Sequence, residues 1–170
     1  VAQIGWATAP STATTETTAV AAAGFRPNSD NGEGAGDDAF SWAYAPSREL
    51  YLHNGKEQAL IRSKSKKSGG GGPAVAGDVI GCAYSYPAPA KKGTVQFYCN
   101  GRLVGQEKNV DTESTGAMLY PAISCNQGEI LELRVDRNTM SYLPPRAQPV
   151  GELLASPEVL DELDDDNDDK

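Results

Sequence analysis

The strongest structural signal in this chain of 170 residues is the run Gly93-Thr94-Val95-Gln96-Phe97-Tyr98-Cys99-Asn100-Gly101. β-Branched and aromatic residues are frequent in its first seven positions, and such residues favour the surface of a β-strand. The Asn-Gly pair that ends it supplies two residues that tolerate positive φ, as a type I′ hairpin turn requires. The run therefore predicts a strand that leads into a tight hairpin.

The same kind of pattern recurs on both sides of this run, with a period of two through most of residues 40–135. That period places successive side chains on opposite faces of a strand. Asn54-Gly55 is a second expected hairpin tip. Many short strands separated by glycine-rich turns predict an all-β antiparallel sandwich or barrel. Strands are expected at 40–44, 79–84, 94–99 and 130–135.

Segments without a strand pattern define the expected domain organisation. Residues 9–35 are rich in small and polar side chains, and residues 61–74 combine a basic run with four glycines, so both are predicted to be long loops. Proline occurs four times in residues 141–157, which predicts an extended linker. The expected division is a β-sandwich over 1–140, a linker over 141–157 and a tail over 158–170.

Nearly all of the net charge of −8 lies in that tail, where eight acids and one base sum to −7. The low isoelectric point is therefore a property of the tail and not of a folded site. The near-neutral body also argues against nucleic-acid binding, which usually needs a basic face. Ser156-Pro157 is a typical helix start, so the acidic tail is expected to be disordered or to form a short helix with Val159, Leu160 and Leu163 on one face.

The sequence lacks the motifs of common catalytic and cofactor sites. It contains no P-loop, no G-x-S-x-G elbow and no H-E-x-x-H motif, and His53 is its only histidine. Cys82, Cys99 and Cys125 are scattered, without the spacing of a zinc site, which favours reduced cysteines in an intracellular protein. No apolar run is long enough to cross a membrane. We therefore expect no enzyme activity, no metal and no cofactor.

Two polar clusters leave alternatives open. Asp37-Asp38 and Asp78 each follow a glycine, where an aspartate usually bonds the backbone of its own turn, although a metal or acid–base role is the alternative. The basic run Arg62-Ser63-Lys64-Ser65-Lys66-Lys67 is expected to be a solvated loop, because no aromatic residues interleave for base stacking. A nuclear import signal or an RNA contact is the alternative for this run.

Over about residues 3–136 the chain resembles the SPRY domain family. The resemblance is carried by six blocks that occur in the family's order: residues 4–7 (IGWA), 36–44 (GDDAFSWAY), 52–56 (LHNGK), 77–82 (GDVIGC), 93–101 (GTVQFYCNG) and 119–124 (LYPAIS). It implies a bent sandwich of two antiparallel sheets without catalytic machinery. It also implies that loops at one end bind a short peptide or another protein. The nearest resemblance within the family is to SPRY domains of Ran-binding scaffolds and RING-type ligases.

The chain departs from the family pattern at its start. Strands that normally precede the block at Ile4 are missing, so either the chain is truncated or another polypeptide supplies them, and an open sheet edge is expected. After Cys82 the family usually has an acidic stretch. Here Pro87 and Pro89 are expected to break the strand.

The resemblance also implies the partner site. By motif it is placed at Tyr51, Leu52, His53, Cys125, Asn126 and Gln127. Arg48 lies just upstream, and its guanidinium is suited to an acidic ligand. The expected function is a non-enzymatic protein-interaction domain of the cytoplasm or nucleus. The alternatives are a structural component of a large assembly and the substrate-recognition part of an E3 ubiquitin ligase.

Overall fold

The computed structural model describes residues 2–8, 34–59, 72–85, 92–110 and 119–154. The chain divides into two compact units, Val1–Ile130 and Leu131–Lys170. The described elements are β1 (Gln3–Thr8), β2 (Ser41–Ala45), β3 (Leu50–His53), β4 (Lys56–Ala59), β5 (Ile80–Ser85), β6 (Gly93–Cys99), β7 (Arg102–Val110), β8 (Leu119–Ser124) and α1 (Val150–Leu154).

The two Asn-Gly pairs form the hairpin tips that the sequence predicts. Asn54 and Gly55 have φ of 54° and 66° between β3 and β4, and Asn100 and Gly101 have φ of 49° and 75° between β6 and β7. Two successive residues with positive φ match the right-handed twist of the strands that they connect. Local sequence chemistry therefore determines both hairpins.

The strands of the first unit form two antiparallel sheets. One has five strands in the order β4-β3-β2-β1-β8, and the other has three in the order β5-β6-β7. In the small sheet, two shifts of register between β6 and β7 mark β-bulges. The expected all-β antiparallel sandwich is confirmed.

Aromatic side chains join the two sheets. The ring of Phe97 on β6 lies 5.7 Å from that of Tyr44 on β2 and 6.0 Å from that of Tyr51 on β3, measured between centroids. Trp6 on β1 contacts Tyr84 on β5 at 6.3 Å. These tilted pairs bury large apolar areas and add the attraction of edge-to-face rings. They place β5 over β1 and β6 over β2 and β3.

The other face of the large sheet is covered by the segment that precedes β2. Ala35 is fully buried there in a cluster with Ala7, Ala43 and Ala122. Gly36 follows with φ of 97°, and a β-carbon on it would meet the side chain of Leu52 at 2.5 Å. Small residues are therefore needed wherever this segment crosses the sheet.

The second unit contains α1 and a bidentate ion pair between Arg137 and Glu152, with N–O distances of 2.9 and 3.0 Å. The short helix lies inside residues 141–157, which the sequence predicts to be an extended linker. The predicted strand at 130–135 is wrong, because the residues form no strand and Ile130 is 94% exposed. Alternation makes a strand only beside a partner strand, and no described strand pairs with these residues.

Several expectations lie outside the described residues. They are the helix after Ser156, the acidic tail, the basic run at 62–67, the strand break at Pro87 and Pro89, and most of the loop at 9–35. Among the residues that are described, no helix is long and apolar enough to span a membrane.

Candidate functional site

The sheet register separates the predicted site residues, because some lie at one end of the large sheet and His53 lies towards the other. Leu50 pairs with Ala45, so the β2–β3 turn lies where β2 ends and β3 begins. Ser124, the last residue of β8, pairs with Gln3, the first residue of β1. Because Ile4 also pairs with Tyr44, the β2–β3 turn and the residues after β8 share one end. We call this end, formed by residues 46–49, 74–78 and 125–129, the loop end. Two strand spacings separate β2 from β8, about 10 Å.

His53 lies at the other end, beside the β3–β4 turn. Its ring stacks on Trp42 with centroids 5.0 Å apart and planes 12° apart. Its Nδ1 lies 2.8 Å from the carbonyl oxygen of Ser41. A carbonyl only accepts hydrogen bonds, so Nδ1 carries a proton in this arrangement and Nε2 is the remaining ring nitrogen. The structure therefore separates His53 from the residues after β8.

Tyr51 and Leu52 lie inside the first unit and not on its surface. Each is 3% exposed. Tyr51 packs against Phe97 between the sheets, and Leu52 lies on the opposite face beneath Gly36. Adjacent residues of a strand point to opposite faces, so both faces of β3 are covered at this level. These two side chains therefore pack in the interior of the first unit and do not form part of its exposed surface.

Arg48 is at the loop end, on the β2–β3 turn. Its Nη2 forms an ion pair with Oε1 of Glu57 across the β3–β4 pair, and the two side chains are 40% and 48% exposed. An exposed pair of this kind contributes little to stability, on the order of 0–1 kcal/mol. Its physical effect is to hold the guanidinium beside β4, at the edge of the large sheet.

Cys125, Asn126 and Gln127 are exposed at the loop end, where a four-residue turn follows β8. The backbone N–H of Glu129 donates to the carbonyl of Asn126 at 3.1 Å, and Gly128 has φ of 89°. The Glu129 carboxylate in turn accepts the Asn126 N–H at 2.7 Å. This is the geometry of a type II turn closed a second time by a side chain.

A second turn of the same construction lies between Val75 and Asp78. The Asp78 N–H donates to the Val75 carbonyl at 3.1 Å, Gly77 has φ of 93°, and the Asp78 carboxylate accepts the Val75 N–H at 2.9 Å. A hydrogen bond from the Ala74 N–H to the Pro46 carbonyl, 3.0 Å long, ties this turn to the β2–β3 turn. Both rigid turns therefore belong to the loop end.

Val75 is a candidate site residue that the sequence did not indicate. Its side chain is 71% exposed although the turn holds its backbone firmly. The pair Gly77-Asp78 predicts the turn but not the exposure of the valine before it. A valine at that position could equally well be buried in a hydrophobic core. Only the tertiary structure shows that the Val75 side chain is exposed.

Hydrogen bonds to the carboxylates of the two turns shift their pKa values. The Val75 N–H, and next the Asn100 amide, hold the pKa of Asp78 below its usual value of 3.8. The Asn126 N–H does the same for Glu129, whose usual pKa is 4.5. Both side chains bond the backbone of their own turn. They act as clamps for the loop end, and the structure assigns Asp78 to the turn role that the sequence favours.

Asp37 and Asp38 have the same role at the other end. Asp37 accepts the Gly34 N–H at 2.7 Å, and Asp38 accepts the Phe40 N–H at 2.9 Å and the Ser41 hydroxyl at 2.6 Å. In the described part of the chain, no three His, Cys, Asp or Glu side chains converge in a way that could hold a metal ion.

The comparison with known families agrees with this architecture. The family model described as SPRY domain matches residues 1–138. No curated protein matches the chain. The matched range contains all the strands described above and both ends of the large sheet.

Proposed function

The chain belongs to the SPRY domain family, and on that premise we propose that it binds a segment of a partner protein at the loop end. SPRY domains are generally protein–protein interaction modules, and they are typically non-enzymatic. The proposed surface consists of Arg48 on the β2–β3 turn, Val75 on the first clamped turn, and the exposed residues Cys125, Asn126 and Gln127.

The observation that carries this proposal is the pair of clamped turns. Each has its backbone closed by one backbone bond and one carboxylate bond, yet the side chains that it presents are exposed. A surface that is already rigid loses little conformational entropy when a partner docks, which favours affinity. Rigid, exposed turns at one end of the sandwich are therefore suited to recognition.

The chemistry of the loop end indicates the kind of segment that it would accept. Val75 offers an apolar contact, whereas Asn126 and Gln127 offer amide donors and acceptors at the turn that follows β8. Arg48 is held by Glu57, so a partner carboxylate would share the guanidinium and not bind it alone. We infer a partner segment with one apolar side chain flanked by polar, hydrogen-bonding groups.

The finer assignments from the sequence stay proposals. They are an intracellular location in the cytoplasm or nucleus, the scaffold and ubiquitin-ligase alternatives, and a role for His53 in partner contact. His53 lies at the opposite end, so it and the loop end would contact different parts of a partner or different partners.

A quantitative affinity-capture experiment tests the proposal. The full chain would be compared with the triple variant Val75→Ser, Asn126→Ala, Gln127→Ala, with His53→Ala, and with Lys56→Ala, an exposed control at the opposite end. We expect the triple variant to lose the captured partners at least about tenfold, or about 1.4 kcal/mol. Lys56→Ala should retain them.

The remaining outcomes are also informative. Loss with His53→Ala but not with the triple variant would move the site to the opposite end. Equal capture by all four proteins, each checked for cooperative thermal unfolding, would contradict the loop-end proposal.

A further inference from the structure

The open edge of β5 differs from every other sheet edge in the described chain. The large sheet ends at β4 and β8, and the small sheet ends at β5 and β7. Edge strands normally carry charges, prolines or bulges that prevent pairing with another polypeptide. β4 carries Lys56 and Glu57, β8 carries Pro121, and β7 carries Arg102 and the two bulges. β5 has no charge, no proline and no bulge.

The register shows how well Pro121 protects β8. The Thr8 N–H bonds the Phe40 carbonyl, so the backbone groups of even-numbered β1 residues face β2 and those of odd-numbered residues face β8. Pro121 pairs with Trp6, and its nitrogen therefore faces away from β1. A proline nitrogen has no hydrogen to donate at that open edge.

The same reasoning applied to β5 gives the opposite result. The Asn100 N–H bonds the Val79 carbonyl, which sets the alternation along the β5–β6 pair. Backbone groups of Gly81 and Ala83 face β6, whereas those of Ile80 and Cys82 face the open side. The open side of β5 thus presents a regular series of backbone donors and acceptors.

The space beside β5 also has an apolar floor. β5 lies over β1 through the contact of Trp6 with Tyr84, and β8 is the next strand beyond β1. On the face of β8 that points towards the small sheet, Leu119 is packed against the core, but Pro121 is exposed and Ile123 is 40% exposed. A strand added to β5 at the usual spacing of about 4.8 Å would lie over this floor.

The geometry excludes an antiparallel pair between β5 and the β5 strand of a second copy of this chain. The large sheet extends one strand beyond the small sheet, because β8 has nothing above it among the described strands. If β5 of a second copy paired with β5, its own β1 would have to occupy the position of β8. A single extended segment, without a second layer beneath it, fits this space.

We propose that the open edge of β5 is a second binding site, which takes one extended, uncharged polypeptide segment of a partner as an added strand. Backbone groups of the segment pair with Ile80 and Cys82, and every second side chain is apolar and covers Ile123 and Pro121. Strand addition of this kind combines backbone affinity with pockets for alternate side chains. The site is distinct from the loop end, so its failure would leave the proposed function untouched.

Amide hydrogen exchange on the full chain tests the proposal with a defined probe. The probe is a peptide of alternating valine and threonine between terminal lysines, added at millimolar concentration. We expect exchange at the Ile80 and Cys82 amides to slow about tenfold or more, whereas Gly81 and Ala83, which already face β6, change little. Ile123→Lys should abolish this protection.

Tyr120→Lys is the matched control. Tyr120 is on the same strand and equally exposed, at 40%, but it points to the opposite face of the sheet. Protection that survives Ile123→Lys, that is lost equally in Tyr120→Lys, or that appears at β7 or β8 would overturn the proposal, as would no protection at millimolar probe. Protection that needs no probe and rises with protein concentration would show self-association and also overturn it. Cooperative thermal unfolding of each variant verifies that it is folded.

Discussion

Gly5 lies so close to the carbonyl oxygen of Trp42 on the neighbouring strand that a β-carbon at residue 5 would overlap that oxygen. The two residues belong to the β1–β2 pair, one register position apart. The atom in the way is backbone, which cannot move without displacing β2. This contact explains why a glycine precedes Trp6 inside a strand, where glycine is otherwise unfavourable.

The substitution Gly5→Ala should therefore destabilise the fold. We expect a loss of about 1–3 kcal/mol or more in the free energy of unfolding, because a close-packed site must shift to admit the methyl group. Urea denaturation measures it. Gly72→Ala is the matched control, since a β-carbon there meets nothing within 4 Å, and it should change stability little. Equal effects of the two substitutions would contradict the steric explanation.

The two Asn-Gly hairpins should respond differently to loss of the asparagine. Asn54 and Asn100 both adopt positive φ, but only Asn100 makes side-chain bonds in the described chain, to the Val79 N–H at 2.9 Å and to Asp78 at 2.8 Å. Asn100→Ala should cost about 1 kcal/mol more than Asn54→Ala, from the lost bonds. Comparison of denaturation midpoints at unchanged m-value checks this, and a larger loss for Asn54→Ala would disprove the bonding argument.

Stability should fall in acid partly through Asp78. The pKa of this carboxyl is lower in the folded chain than its usual 3.8. The unfolded state therefore binds the proton more readily, so the stabilisation is present above pH 3.8 and is lost as the pH falls through the folded pKa. Asp78→Asn should make the decline in denaturation midpoint shallower over roughly pH 5 to 2.5. An unchanged acid decline in the variant would show that the clamp does not contribute.

The three cysteines should react with a thiol reagent in a defined order. Cys125 is exposed, whereas Cys82 and Cys99 are partly buried, and burial raises the pKa of both of these thiols. Because the thiolate is the reactive form, Cys125 should be modified first and Cys82 last, by roughly tenfold or more. Timed labelling with peptide mass spectrometry gives the order, and labelling in urea is the control that should equalise the rates. Early modification of Cys82 in the native chain would contradict the burial of this thiol.

The sequence predicted correctly those structural elements that depend on the conformational preferences of a few neighbouring residues. The Asn-Gly pairs determine their hairpins through φ preferences alone, and the run 93–99 is a strand because its apolar positions meet a second sheet. The same alternation at 130–135 failed, because a strand needs hydrogen bonds from a neighbour that the pattern itself does not contain. Of the site residues predicted from the sequence, Arg48 and the residues after β8 are exposed. Tyr51 and Leu52 are buried, because a position in a motif does not determine burial.

By itself, the sequence determined the all-β class, both hairpins, the family, and the concentration of negative charge in the last thirteen residues, because these depend on residue types and on spacing along the chain. Only the tertiary structure decided which end of the sheet each predicted site residue occupies, that Val75 is exposed, and that β5 has an open edge over an apolar floor. The physical reason is that strand order and register bring together segments far apart in sequence. Burial and edge exposure are properties of those long-range contacts.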